Sequence, residues 1–141
     1  MKSFTSENRS VLVDSCVLIA YFRTEEADHQ IALDFINGLG KFFVNDYVIS
    51  EVMTVLQLKE NRETMKTAVE VLSKNKQVQI LRLTWEEFAQ TVEFMQKSST
   101  EISFVDCSLL ILARSRELLV GTFDKGLIAT GKDVDMLDVG K

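Results

Sequence analysis

Carboxylates are the side chains of this sequence whose types and placement could do chemistry. Four of them end an apolar run or interrupt one, where a solvated acid is not expected: Asp14, Glu51, Asp106 and Asp124. Acids that gather in a fold repel one another, and a divalent cation is the natural compensation. Mg²⁺ and Mn²⁺ are the hard ions that carboxylates and water bind. A metal site built from acids is therefore the first hypothesis.

Asp106 gives the strongest of these signals. It is the only charged residue from 102 to 113, where apolar side chains cover nearly the whole circumference of a predicted helix. Such a helix is buried, and an uncompensated carboxylate on it would cost several kcal/mol. A structural role is the alternative, because Ser103 and Asp106 fit a weak S-x-x-D capping box. Both interpretations can hold together.

The other three acids have ordinary explanations when each is taken alone. Asp14 follows the apolar segment 11–13 and could be a helix N-cap. Glu51 lies at the margin of the apolar arc of a predicted helix and could extend outward into solvent. Asp124, two residues before Gly126, could belong to a turn. Their joint placement, rather than any one of them, supports a common site.

Short apolar strands alternate with helices along the chain, which predicts a parallel sheet covered by helices on both faces. Strands are predicted at 10–13, 42–44, 78–83, 118–122 and 135–139. Helices are predicted at 17–22, 26–37, 46–59, 62–74, 103–117 and 125–129, and from the capping box 84–87 to about 97. Ligands bind outside the carboxyl ends of such strands, where Asp14 and Asp124 lie.

Length and composition favour one globular domain. The 141 residues are 46% hydrophobic and 26% charged, which argues against disorder and a coiled coil. Residues 1–9 are predicted to be a flexible N-terminal arm and residues 10–141 a single domain. We expect a cytoplasmic protein without a membrane segment, because no apolar run is long enough to span a bilayer and the polar N-terminus does not resemble an export signal.

Competing metal and catalytic chemistries have little support in the sequence. Cys16 and Cys107 are too few for a disulfide framework or a cysteine-based zinc site. The only histidine, His29, lies at a polar helix start where we expect it to be exposed rather than ligating. A haloacid-dehalogenase-like phosphatase would need a second acid two residues after Asp14, where Cys16 stands. A receiver domain would need acids near 12–13, which are Leu and Val.

Four segments, taken in order and spacing, resemble the acidic motifs of PIN-domain nucleases. They are V-D-S-C-V-L-I at 13–19, I-S-E-V at 49–52, S-F-V-D-C-S-L-L-I-L-A at 103–113 and G-T-F-D-K-G-L at 121–127. The resemblance is strongest to toxins of the VapC type and spans about residues 10 to 139. It implies an α/β fold of three α/β/α layers with a five-stranded, mostly parallel sheet.

The resemblance also implies an endoribonuclease that uses Mg²⁺ or Mn²⁺ and leaves a 3′-hydroxyl and a 5′-phosphate. The acids that match the family's catalytic quartet are Asp14, Glu51, Asp106 and Asp124. The resemblance implies that Asp14, Asp106 and Asp124 hold the metal, and that Glu51 either ligates it or orients the attacking water. The accompanying small hydroxyl positions are Ser15, Ser103 and Thr122.

An RNA substrate, an antitoxin protein and a homodimer are the expected partners. Helices 46–59 and 62–74 carry apolar residues at helical spacing that are either plain core or a groove for an antitoxin or a second copy: Met53, Leu56, Met65 and Val69. The alternative function is a catalytically weak PIN-fold interaction or RNA-processing module without an antitoxin.

The net negative charge of the chain is compatible with an RNA substrate, because most of it comes from the four candidate site acids. The net charge is −5, and removing the four acids leaves −1. Four cations close to the motifs could guide phosphates or be ordinary surface charges: Arg114, Arg116, Lys125 and Lys132.

Overall fold

The computed structural model describes residues 9–141, in which five strands and seven helices alternate. The strands are β1 (Val11–Val13), β2 (Phe42–Asn45), β3 (Val78–Leu81), β4 (Leu119–Thr122) and β5 (Met136–Asp138). The helices are α1 (Ser15–Phe22), α2 (His29–Gly38), α3 (Asp46–Lys59), α4 (Arg62–Lys74), α5 (Trp85–Lys97), α6 (Phe104–Arg116) and α7 (Lys125–Thr130).

The predicted N-terminal arm at 1–9 lies outside the described residues except for Arg9. The guanidinium of Arg9 forms an ion pair with the exposed carboxylate of Asp135, directly before β5. The single-domain boundary at residue 10 stays a prediction.

The five strands form one sheet in the order β3-β2-β1-β4-β5. The sequence predicts a mostly parallel sheet, and every pairing is parallel. The helices form the outer layers of a three-layer α/β/α fold. The chain moves from β1 toward β3 and then crosses to β4 on the other side of β1. That reversal leaves a crevice at the carboxyl ends of β1 and β4, the usual position for a ligand in this architecture.

Local capping interactions set the helix starts. Thr84 and Glu87 form the predicted capping box of α5, in which each side chain bonds the other's backbone N–H. Ser103 caps α6 by accepting from the backbone N–H of Asp106 at 3.0 Å. Asp14 caps α1, as its ordinary explanation predicts, and Asp124 caps α7, where the sequence suggested a turn.

The core lies between the sheet and its helices. The three residues of β1 are buried, and so is every residue of α6 from Cys107 to Ala113. The prediction of a buried α6 from its all-round apolar pattern is therefore confirmed. None of the helices within residues 9–141 is long and apolar enough to cross a membrane.

The structure settles one open interpretation and corrects another. Leu56 is fully buried, as the plain-core alternative expects, whereas Val69 on α4 is exposed. His29 is half-buried rather than exposed, because its Nδ1 donates to the carbonyl oxygen of Ala20 at 2.7 Å. This bond ties the start of α2 to α1, which gives His29 a structural role.

Candidate active site

The carboxyl ends of β1 and β4 place two of the candidate acids beside each other. Val13 pairs with Gly121 in the sheet, and the backbone N–H of Asp14 donates to the carbonyl oxygen of Gly121 at 3.0 Å. Asp124 follows two residues after the end of β4. The strand register therefore brings Asp14 and Asp124 to one edge of the sheet.

The Asp14 carboxylate is buried and held in a fixed orientation. One oxygen, Oδ1, accepts from the backbone N–H of Ser15 at 2.7 Å. The other oxygen, Oδ2, accepts from the Thr122 hydroxyl at 2.7 Å. Weaker contacts reach Oδ1 from the Ser15 hydroxyl at 3.3 Å and Oδ2 from the Cys16 thiol at 3.4 Å. These donors give both oxygens of the buried carboxylate a hydrogen-bond partner.

Thr122 connects the two strand-end acids. Its hydroxyl donates to Asp14 and accepts from the backbone N–H of Asp124 at 2.9 Å. The Asp124 carboxylate in turn accepts from the backbone N–H of Leu127 at 3.1 Å. A single buried hydroxyl thus sets the relative position of β1, β4 and the start of α7.

Asp106 is half-buried, and the other three acids all affect the pKa of its carboxyl. Burial is the largest cause that raises the pKa of its carboxyl, to about 6. The further upward causes are, in order, the negative charges of Asp14, Asp124 and Glu51. Since each of these charges acts on Asp106, the four predicted site residues share one electrostatic environment although they are far apart in sequence.

Glu51 and Asp124 occupy the solvent side of this environment. Both residues are exposed, Glu51 on α3 and Asp124 at the cap of α7. Asp106 and Asp124 line an open cleft of about 380 Å³ together with residues 100–102. Two of the four acids therefore face one cleft that is open to solvent.

The donor set is suited to a hard divalent cation. Among residues 9–141, no three His, Cys, Asp or Glu side chains are already arranged as ligands of one ion. Mg²⁺ typically keeps several waters and takes only one or two carboxylates from a protein, so a closed cage is not required. Each Asp14 oxygen accepts one short hydrogen bond and one longer contact, and the charges from residues 9–141 that shift the pKa of Asp106 are all negative. The residues present fit Mg²⁺ or Mn²⁺.

Cys16 lies against the acids but is not a nucleophile. Its thiol contacts Asp14 and the Thr122 hydroxyl, and it accepts from the backbone N–H of Phe123 at 3.4 Å. Burial, reinforced by the charge of Asp14, raises the pKa of this thiol to about 12. A thiol that stays protonated at neutral pH is a packing group here. Cys107 is fully buried behind Asp106 and is also a free thiol.

Sequence reasoning missed Asn45 as a positioning residue. This fully buried amide ends β2, caps α3 through the backbone N–H of Val48 at 2.7 Å, and donates to the Ser108 hydroxyl at 3.0 Å. It therefore connects α3, which carries Glu51, to α6, which carries Asp106. An Asn between a strand and a helix was a visible capping signal, but its partner 63 residues away was not.

The cations near the motifs are mostly engaged with acids of the chain. Three of the four form ion pairs: Arg114 with Asp133, Lys125 with Asp138 and Arg116 with Glu87. Lys132 and Arg114 also line a cavity of about 780 Å³ that shares Thr100 and Thr130 with the acidic cleft. A role for these cations in guiding phosphates stays a prediction.

Comparison with known proteins supports the same family. The family model of the PIN domain matches residues 11–133. No curated protein sequence matches the chain significantly.

Solved structures resemble this fold over almost the whole chain. VapC20 of Mycobacterium tuberculosis, described as a toxin that cleaves the sarcin-ricin loop, has a TM-score of 0.81 at 21% identity, covering 86% of this chain and 95% of its own. VapBC-1 of nontypeable Haemophilus influenzae has a TM-score of 0.70 at 15% identity, covering 93% and 98%. At these identities the likeness establishes the fold.

Proposed function

The chain belongs to the PIN domain family, and on that premise we propose that it is a metal-dependent endoribonuclease. The observation that carries the proposal is the meeting of three acids: the Thr122 hydroxyl joins Asp14 to Asp124, and Asp106 lines the same cleft as Asp124. Burial and the repulsion of the neighbouring carboxylates raise the pKa of Asp106 accordingly, to about 6. A fold without a use for that repulsion would gain stability by replacing one of the acids. A site that binds a cation can use the negative charge that these acids supply.

The roles proposed for the acids follow from their exposure. Asp14, Asp106 and Asp124 hold Mg²⁺ or Mn²⁺, with the buried Asp14 as the most rigid of the three. When bound, such an ion would lower the pKa of a water and offset negative charge on the phosphodiester. Glu51, the exposed acid on α3, orients the attacking water or adds a ligand.

Thr122 is proposed to position the site rather than to react. Its hydroxyl fixes one Asp14 oxygen and the backbone of Asp124, so their relative orientation is set before a ligand arrives. Preorganised ligands lose little freedom when the cation and the substrate bind.

A toxin–antitoxin pair is the biological setting we propose. A toxin–antitoxin complex from Klebsiella pneumoniae contains a chain of this fold, and VapC20 is described as a toxin. By analogy the chain would be the toxin, with RNA as its substrate, an antitoxin protein as its inhibitor and a second copy as its partner in a homodimer.

Cleavage of labelled RNA by the purified protein tests the proposal. With Mn²⁺ or Mg²⁺ the wild type should cut internally, and EDTA should stop the reaction. Asp14→Asn and Asp106→Asn should each lower the cleavage rate by at least about a hundredfold, because both remove a proposed metal ligand. The same substitutions should relieve growth inhibition when the chain is expressed without an antitoxin.

A matched control makes the result specific. Asp34→Asn makes the same chemical change at an exposed position on α2 and should cleave at the wild-type rate. Circular dichroism and thermal unfolding would establish that each variant folds. Full activity in folded Asp106→Asn would refute the proposed site.

A further inference from the structure

A cavity of about 780 Å³ adjoins the acidic cleft. Its walls are the second half of α5, the segment 98–100, Arg114 of α6 and the end of α7. Three residues line both openings: Thr100, Ala129 and Thr130. The cavity is therefore a direct continuation of the cleft in which the proposed catalytic acids lie.

Three cations and a single carboxylate line this opening, which we call the basic cavity. Lys97 ends α5, Arg114 lies in the last turn of α6 and Lys132 follows α7. The carboxylate is that of Glu93, one turn before Lys97. The basic cavity thus carries net positive charge in a chain whose net charge is −5, and three separate segments of the chain contribute to it.

The cations of the basic cavity can exchange their present partners for another anion. Among residues 9–141, the exposed side chain of Lys132 has no ion-pair partner. The Nζ of Lys97 lies 3.5 Å from Glu93, and Nη1 of Arg114 lies 3.3 Å from Asp133. All four of these paired side chains are about half exposed or more. Water screens such pairs, so a phosphate can replace the carboxylate at little cost in stability.

We propose that the basic cavity binds backbone phosphates of the RNA next to the scissile phosphodiester, so that the strand leaves the acids between α5 and α7. The inference rests on the proposed function and adds the path of the substrate beyond the acids. Arg114 can bind a phosphate through two N–H groups, whereas Lys97 and Lys132 act as point charges. Such contacts position the strand without reading its bases.

The continuity of the two openings favours RNA over a second copy of the chain as the occupant. An occupant of both has to be anionic at the cations and has to reach Asp106 and Asp124, which repel anions until a cation is bound. An RNA strand bears a charge at every phosphate and brings its scissile phosphate to the bound cation. An acidic face of a second copy could pair with the lysines, but it would meet only repulsion at the adjoining acids.

Removal of the two lysines tests the basic cavity. By polarisation of a labelled RNA oligonucleotide in EDTA, which prevents cleavage, Lys97→Gln/Lys132→Gln should bind about tenfold more weakly than the wild type in about 0.1 M KCl. The plot of log affinity against log salt should become shallower by about 1.4 for two lost phosphate contacts, because fewer counterions are released. Wild-type affinity and slope in the folded double variant would overturn the proposal.

The matched control removes the same charge from another helix. Lys66 and Lys74 are exposed on α4, and Lys74 ends its helix and pairs with Glu70 as Lys97 pairs with Glu93. Lys66→Gln/Lys74→Gln should bind RNA as the wild type does. An equal loss in this control would show that only the net charge matters, and the basic cavity would be rejected.

Neutral linkages in the RNA locate the contact. When one phosphate at a time is replaced by a methylphosphonate, wild-type binding should weaken most at one or two linkages on the same side of the scissile bond. In Lys97→Gln/Lys132→Gln the same replacements should have little further effect, because the charges that they would have met are gone. Equal losses in the two proteins at every linkage would contradict the proposal.

Three parallel measurements separate the possible failures. If sedimentation shows that the double lysine variant converts a dimer to a monomer with unchanged RNA affinity, the basic cavity is an interface between copies and the proposal is wrong. It is also wrong if AMP raises the melting temperature of the wild type but not of the variant, while both bind RNA equally. Wild-type cleavage with Mn²⁺ tests the proposed function separately. Cleavage with unchanged affinity in the variant would remove only the basic cavity, and weakened binding without wild-type cleavage would remove only the ribonuclease.

Discussion

Helix α6 has a charged group at each end, and the two groups lie in opposite electrostatic environments. In its first turn Asp106 is surrounded by other acids, and its pKa is raised to about 6. In its last turn Arg116 reaches Glu87 with Nε at 3.1 Å and Nη2 at 2.8 Å. The hydrogen bond from Arg116 is the largest cause that lowers the pKa of Glu87, to about 2.

The difference between the two ends separates stabilising chemistry from binding chemistry. At the Arg116 end the chain supplies both charges, and Ser115 and the backbone of Thr84 complete the bonds to Glu87. At the Asp106 end, the charges from residues 9–141 that act on Asp106 are all negative. The fold holds these acids together against their repulsion, which is expected where a cation from outside the chain completes the site.

The largest effect is expected from breaking the paired end. Glu87 is only 7% exposed, so Glu87→Ala removes a buried partner of Arg116 together with half of the capping box. We expect a loss of about 3 kcal/mol in the free energy of unfolding, and a smaller loss for Glu87→Gln, which can keep the cap. Urea unfolding at pH 7 measures both, and RNA cleavage under folded conditions should be unaffected.

The pH dependence of this loss checks its electrostatic origin. The pKa of Glu87 is lower in the folded state than its ordinary value of 4.5. The ion pair therefore contributes its full stability above pH 4.5 and loses it as the pH falls toward 2. Wild type and Glu87→Gln should converge in acid, and a constant difference across that range would point to packing instead.

A smaller effect of opposite sign is expected at the acidic end. The pKa of Asp106 is raised in the folded state, so ionisation of this carboxyl destabilises the fold. The free energy of unfolding therefore falls as the pH rises from about 4 to about 6. Asp106→Asn removes this cost, so the metal-free variant should gain about 1–2 kcal/mol at pH 7, after allowance for solvent screening of a half-buried group. Thermal unfolding in EDTA at pH 7 should show a rise of several degrees.

Addition of Mn²⁺ should reverse the order of the two proteins. A ligand that binds only the folded state stabilises it, so the wild type should gain stability with Mn²⁺ while Asp106→Asn gains little. A fall in the melting temperature of metal-free Asp106→Asn would mean that the carboxylate acts mainly as part of the α6 cap.

The sequence predicted this molecule best where the signal is local. The strands are short apolar runs, and the capping box at residues 84–87 marks the start of α5. The order of the elements and their approximate bounds could therefore be predicted from the sequence. The candidate acids could be identified because each interrupts an apolar segment or ends one. Their roles as metal ligands stay predictions.

Pairs that only the tertiary fold brings together could not be predicted. Arg116 was a candidate phosphate guide, and its partner Glu87 lies 29 residues away on another helix. The bond between Asn45 and Ser108 is equally remote in sequence. For Leu56 the sequence left core and groove open, because periodicity defines an apolar stripe without saying what covers it.

The smallest effect is expected just beyond the paired end, at Glu117. This residue ends α6 with φ 55°, a left-handed conformation that favours glycine, and its N–H donates to the carbonyl oxygen of Ala113. Glu117→Gly relieves the strain but increases the entropy of the unfolded chain, so we expect a net gain of about 0.5 kcal/mol. Urea unfolding measures the gain, and Glu117→Ala, which keeps a Cβ, is the control that should not show it.

RNA cleavage should be unchanged in Glu117→Gly, because the substitution stabilises the end of α6 opposite the acids. A gain that came with altered cleavage would mean that the two ends of α6 are coupled rather than independent.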